Sequence, residues 1–215
     1  MENVKAVLTG DLIGSTKTSL INLDLSMAAL KSAIAPLAAY YRFDPRFTRY
    51  RGDGWQVYLE HPGLVLRTSI MMIANLRADG PGLATRISAG LGTVSHLGNQ
   101  GLSEAAGTAF IYSGQGLDKM PAAKRLVIAG DSAAIRWHQA VFDLIEWQSG
   151  RWSREQAEAV MLALDPRNDT QKDLAKTLNI TRQALQARLS SAGYPALTKA
   201  LWAFETVTYK EQADA

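Results

Sequence analysis

No cysteine occurs among the 215 residues. Disulfides, cysteine-ligated zinc and thiol catalysis are thereby excluded, and the chain fits a reducing compartment, so a cytoplasmic setting is expected. Histidine is almost as scarce. His61, His96 and His138 stand far apart without metal-ligand spacing and read as surface or satisfied core positions. No stretch approaches the roughly 20 apolar residues of a bilayer span, and the apolar run near the N-terminus is too short for a signal peptide. No membrane partner is expected. Neither sign of charge dominates: a net +3 and a pI of about 9.2 permit a polyanionic partner without demanding one. What is present is ordinary for a globular chain, with 47% hydrophobic and 20% charged residues.

Patterning divides the chain in two. Residues Val4 to Leu8 are apolar and β-prone, and "INLDLSMAALKSAIAPLAAYY" has helical spacing. "RFTRY" and "WQVYLE" flank Gly52-Asp53-Gly54, a strong hairpin signal. "PGLVLRTSIMMIANLRADG" opens on proline and closes on glycine, as a helix does. "ATRISAGLGTVSHL" reads as a strand, "GTAFIYSGQGLDKM" as a short helix and "KRLVIAG" as a strand. This order predicts an α+β layer with helices on one face of a mainly antiparallel sheet. After Asp131 only helical periodicity follows, with Ser153, Thr170 and Thr181 as N-caps. The expected organisation is a sheet domain over 1–130, a connecting helix over 131–150 and an all-α domain over 151–215.

Two carboxylates stand where no core role explains them. Asp11 ends the first apolar run, and Asp53 sits in the hairpin. If those strands are neighbours the carboxylates meet, and they repel unless a cation lies between them. Mg²⁺ or Mn²⁺ suits such a pair, since it takes few carboxylates plus substrate phosphates. Gly14, Ser15, Thr16 and Lys17 follow Asp11 as a cradle for a triphosphate at an expected helix N-terminus. The plain alternative is a surface aspartate and an Asp-Gly turn chosen for its geometry.

Asp11-Leu12-Ile13-Gly14-Ser15-Thr16, together with Gly52-Asp53, resembles the class III nucleotidyl cyclase domain over about residues 3–130. That family has a D-x-x-G-x-T loop and a "GD" hairpin. The pattern is also similar to the SatD family, small bacterial proteins that pair such a domain with a DNA-binding-type segment. The resemblance implies a ferredoxin-like, palm-type cyclase fold. It places Asp11, Leu12 and Asp53 at Mg²⁺ or Mn²⁺, with Asp11 and Asp53 catalytic. It places a nucleoside triphosphate near Ile13 to Lys17, Arg49, Arg51, Thr108 and Gln115, and it implies a homodimer with the site between subunits. The chain departs from the family where Ile111 and Gln115 replace its transition-state asparagine and arginine. Arg49 and Thr108 replace its base-selecting pair. Metal and nucleotide binding is thus better supported than turnover.

In the tail, "TQKDLAKTLNITRQALQARLSSAG" has the form of a helix-turn-helix and resembles the region-4-like module of sigma factors. Leu174, Ala175, Leu178, Leu185 and Leu189 are its expected core. Thr181, Arg182, Gln183, Gln186 and Arg188 are expected to point outward toward DNA. From Pro166 to Trp202, basic residues exceed acidic ones by four, so the chain's positive charge is concentrated here. Trp137, Trp147, Trp152 and Trp202 are expected to pack the bundle. The expected function is a metal–nucleotide-binding, DNA-binding regulator. Two alternatives stay open: an active cyclase whose tail serves assembly, and an inactive dimerisation scaffold. A bundle used for dimerisation is the other reading of the tail.

Overall fold

A computed structural model describes residues 4–50, 52–99, 101–132, 134–167, 170–207 and 209. Among them are five strands and eight α-helices. Strand β1 (Lys5–Ile13) leads into α1 (Leu20–Tyr41); the hairpin β2 (Thr48–Tyr50) and β3 (Gly54–Leu59) leads into α2 (Val65–Asp79). Then follow β4 (Ala84–Gly92), α3 (Thr108–Asp118) and β5 (Leu126–Gly130). The helical part comprises α4 (Ile135–Ser149), α5 (Arg154–Ala163), α6 (Gln171–Thr177), α7 (Arg182–Ser191) and α8 (Tyr194–Thr206).

The sheet runs β2-β3-β1-β4-β5. Every pairing is antiparallel except β4 with β5, which is parallel, so the sheet is mixed. Side chains alternate across each strand. Ala6, Leu8 and Leu12 of β1, Trp55, Val57 and Leu59 of β3, and Ile87, Ala89 and Leu91 of β4 share one core with α1 and α2. The opposite parity meets α3. Thr9 Oγ1 lies 2.8 Å from Ser113 Oγ. A Cβ on Gly90 would stand 2.2 Å from the Ala109 carbonyl oxygen, and one on Gly116 would stand 2.3 Å from Ser88 Oγ. The expectation of helices on a single face is thereby corrected. α3 covers the other face, and glycines on both sides of that contact let it come close.

Helix α1 corrects a second expectation. It is long and apolar enough to cross a bilayer by length and composition, with a mean hydropathy of 1.3. Half of that stretch is buried inside the fold, and Leu30, Ala33, Ile34 and Leu37 are almost fully enclosed. Asp24 and Lys31 interrupt the run in the sequence and sit on its outer side.

The helices after Gly150 share this core; Val160, Leu185, Leu189, Leu197 and Phe204 belong to the same apolar cluster as Leu8 and Trp55. Polar ties reinforce the contact. Arg67 of α2 forks onto Glu205 of α8 at 2.6 and 3.1 Å and donates to the Leu164 carbonyl at 3.0 Å. The Trp152 indole donates to the Ala192 carbonyl at 3.0 Å. Ser153, Thr170 and Thr181 cap α5, α6 and α7 as their side chains predict. Among the four tryptophans expected to pack here, only Trp152 does; Trp137, Trp147 and Trp202 are 78, 61 and 69% exposed.

Candidate functional site

Asp11 lies on β1, two residues before its end, opposite Gly54 of β3 and Arg86 of β4. That register brings the hairpin tip beside it. The Leu12 amide donates to the Asp53 carbonyl at 3.2 Å, which pins the tip to the strand. Gly52 takes a φ of 81°, in the left-handed region the turn requires. Thr85 Oγ1 donates to the Asp11 carbonyl at 2.7 Å and accepts from the buried Trp55 indole at 3.1 Å. The backbone beneath the first carboxylate is therefore anchored from the core.

The cation paired with Asp11 is Arg86. Its Nε donates to Asp11 Oδ1 at 2.8 Å, and its Nη2 donates to Oδ2, a forked pair with both side chains about a quarter to a third exposed. The hydrogen bonds to Asp11 hold the Arg86 pKa up; partial burial opposes this, and the charges of Asp11 and then Asp53 add to it. Ser15 Oγ donates to Asp53 Oδ2. Asp11, Asp53, Ser15 and Arg86 thus form one cluster at the β1–β3–β4 end of the sheet.

Arg86 is the residue sequence reading missed. Its signal is parity. In "TRISAGLG", Ile87, Ala89 and Leu91 alternate with Arg86, Ser88, Gly90 and Gly92. A charge on the small-residue face of a buried strand poses the same question as Asp11.

The phosphate cradle differs from expectation. α1 begins at Leu20, and its cap is Ser19, whose Oγ accepts from the Asn22 amide at 3.2 Å. Between Asp11 and that helix lies a three-residue 3₁₀ turn, Ser15–Lys17, entered through Gly14 with a φ of 82°. Thr16 and Lys17 are exposed on it, and Ile13 is partly so. The Leu12 side chain is buried in the core and carries no ligating atom, so only its carbonyl is available to a metal.

Arg49, Thr108 and Gln115, the described ones among the remaining nucleotide residues, show no bond to the cluster's side chains. Arg49 bonds the Gly52 carbonyl and Asp24 of α1, each at 2.6 Å. It pairs with Trp55 in register, on the α1 side of the sheet. Arg51 lies outside the described residues. Thr108 Oγ1 accepts from the Thr93 amide at 2.8 Å, beside Gly92. Gly92 pairs with Lys5, six residues from Asp11 along β1, or about 20 Å. Gln115 and Ile111 are exposed on α3, and Gln115 stands nearer the carboxylate end.

In the tail, Leu174, Ala175, Leu185 and Leu189 are buried, and Asn179 makes the turn with a φ of 52°. Thr181, Arg182, Gln183 and Gln186 are exposed. Arg188 departs from its expected outward position: it is 27% exposed and faces Glu158 of α5 at 3.6 Å. At position 188 the helix has turned back toward α5, so its charge is partly spoken for within the chain.

The cluster has the chemistry of a cation site. One carboxylate on β1 is paired with Arg86, a second in the adjoining hairpin turn accepts from Ser15, and a short 3₁₀ turn lies beside them. A pair of carboxylates suits Mg²⁺ or Mn²⁺ rather than zinc, since the set lacks sulfur and imidazole donors, and among the described residues no group of three or more His, Asp or Glu ligands occurs. No protein-family model matches the sequence, and a search of curated proteins finds no match.

Proposed function

We propose that the chain is a cytoplasmic regulator that binds a metal–nucleoside triphosphate through its sheet domain and DNA through its helical tail. The observation that carries this reading is the placement of two acids at one end of the sheet, Asp11 forked with Arg86 and Asp53 bonded to Ser15 on the hairpin tip that the Leu12 amide pins to β1. In a nucleotide complex, Mg²⁺ or Mn²⁺ held by Asp11 and Asp53 neutralises triphosphate charge. Arg86, freed from its fork, then faces the phosphates, with Ser15, Thr16 and Lys17 at the other side. The strand order β2-β3-β1-β4, with the hairpin beside β1, supports a palm-type cyclase sheet. The distance of Thr108 from Asp11 favours a homodimer in which a second copy supplies that part of the pocket. The capped α6–α7 pair, with Arg182, Gln183 and Gln186 exposed, supports the helix-turn-helix reading.

Arg86 also bears on turnover. The family's arginine position is Gln115, without charge, and Arg86 is a cation already at the site. The test is incubation with each NTP and Mn²⁺, followed by chromatography and a filter-binding assay. Retained, unconverted nucleotide supports the sensor; a cyclic product moves the chain to the cyclases; neither binding nor product overturns the reading. For the tail, Arg182→Ala is expected to weaken a specific DNA site by about 1–3 kcal/mol.

A further inference from the structure

Helix α4 is apolar on two nearly opposite faces. His138, Phe142, Ile145 and Ser149 are buried toward the core. Trp137, Ala140, Leu144 and Trp147 form the other stripe, where Trp137 is 78%, Leu144 66% and Trp147 61% exposed. A helix apolar on both sides belongs between two layers, and the described residues supply one. The residues of the sequence outside those described include a single large apolar side chain, Met1.

The exposed stripe is self-complementary. Its spacings are three, four and three, which read the same in reverse. Turning a second α4 end for end sets Trp137 against Trp147 and the small Ala140 against the large Leu144, a knob over a gap. Charge agrees with that direction. Asp131, exposed, precedes the N-terminal end of α4, while Arg151, exposed, follows its C-terminal end and lies 4.1 Å over the Trp147 ring. Reversal sets Arg151 of one copy near Asp131 of the other, with Arg136 at the same end, whereas parallel alignment sets Arg151 beside Arg151 and Asp131 beside Asp131. The two tryptophans and the leucine offer on the order of 400 Å² of apolar surface per copy. That is about half of the roughly 800 Å² per partner that a stable interface buries, with the flanking Arg136, Asp131 and Arg151 left to form the rim.

We propose that α4 forms an antiparallel two-fold interface with α4 of a second copy of this chain. This surface holds no residue of the Asp11–Asp53 cluster, so it is a contact distinct from the pocket-completing one proposed above, and the response of the dimer to Leu144→Arg tells the two apart. α4 lies between the sheet and the helical tail, so the pairing fixes the relation of the two tails.

Sedimentation equilibrium on the full chain is expected to show a dimer. Leu144→Arg is expected to raise its dissociation constant by at least roughly a hundredfold, with unchanged circular dichroism because Leu144 is 66% exposed and outside the core cluster. The absence of native cysteine makes the register testable: a mixture of Ala140→Cys and Leu144→Cys is expected to cross-link on oxidation better than either alone. A protein that stays monomeric at about 100 µM, a dimer indifferent to Leu144→Arg, or stronger cross-linking of each variant with itself overturns the proposal. So does a monomer whose stripe instead binds lipid vesicles.

Discussion

Under α1 and α2, strands β1, β3 and β4 present Leu8, Trp55, Val57, Ile87 and Ala89, all fully buried. Under α3 the same strands present Thr9, Asp11, Gln56, Arg86, Ser88 and Gly90. One face is filled by volume and excludes water. The other is filled by close backbone approach and hydrogen bonds, as where Gln56 donates to Thr9 Oγ1 at 3.1 Å, and it opens at one end onto charge. The apolar face supplies stability and anchors the backbone beneath Asp11 through Trp55 and Thr85. The polar face spends its positions on the site. Core residues and candidate-site residues thus occupy alternate positions of the same strands.

That division predicts unequal damage. Trp55→Ala leaves a large cavity on the apolar face and is expected to lower unfolding free energy by about 3–5 kcal/mol in a urea titration. Gly90→Leu attacks the other face by overpacking, because a Cβ there already meets the Ala109 carbonyl at 2.2 Å. It is expected to cost about 1–3 kcal/mol in the same titration. A loss as large as that of Trp55→Ala would break the comparison.

Arg86→Ala is smaller in stability and sharper in function. The pair with Asp11 is partly exposed, so its loss is expected to cost about 1 kcal/mol. Asp11 is then left without its cation beside Asp53, and Mn²⁺ alone is expected to bind roughly tenfold more tightly, while triphosphate binds more weakly. Calorimetry with metal and with metal plus NTP separates the two effects.

The smallest effect concerns a polar ring on the apolar side. His138 is buried against Phe204, at 4.5 Å between ring centroids, and Tyr209 at 5.6 Å; its Nδ1 has no hydrogen-bond partner among the described residues. Burial pushes its pKa below the ordinary value, so the folded state holds it neutral. The unfolded chain takes up the proton first as pH falls. Stability is therefore fully present above about pH 6.5 and declines below it, as pH falls toward the depressed folded value. Thermal melts at neutral and mildly acid pH are expected to show this decline, and His138→Leu is expected to flatten it.

Much of the apolar face was legible in the sequence, because strand and helix periodicities reflect burial directly. So was the adjacency of the Asp53 hairpin to the Asp11 strand, since an Asp-Gly turn and a carboxylate near a strand end need only neighbouring strands. The polar face was not. Glycine and serine carry no hydrophobic signal, so the helix seated on Gly90 was placed with the others, and Arg86 read as an ordinary strand residue. Trp137 and Trp147 were misread for a related reason: two apolar stripes on α4 merge into one helical pattern unless their phases are separated. Arg188 shows the limit of reading a recognition helix alone, because the acid it faces comes from α5.

The central claim is that Asp11 and Asp53 hold a metal for a triphosphate. Titration calorimetry of the wild-type chain and of Asp53→Asn with ATP, GTP, CTP and UTP, each with and without Mn²⁺, tests it most directly. Metal-dependent binding of at least one triphosphate by wild type, with that dependence lost in Asp53→Asn, is the predicted result. Binding that is absent for all four, or equally metal-dependent in the variant, would contradict it.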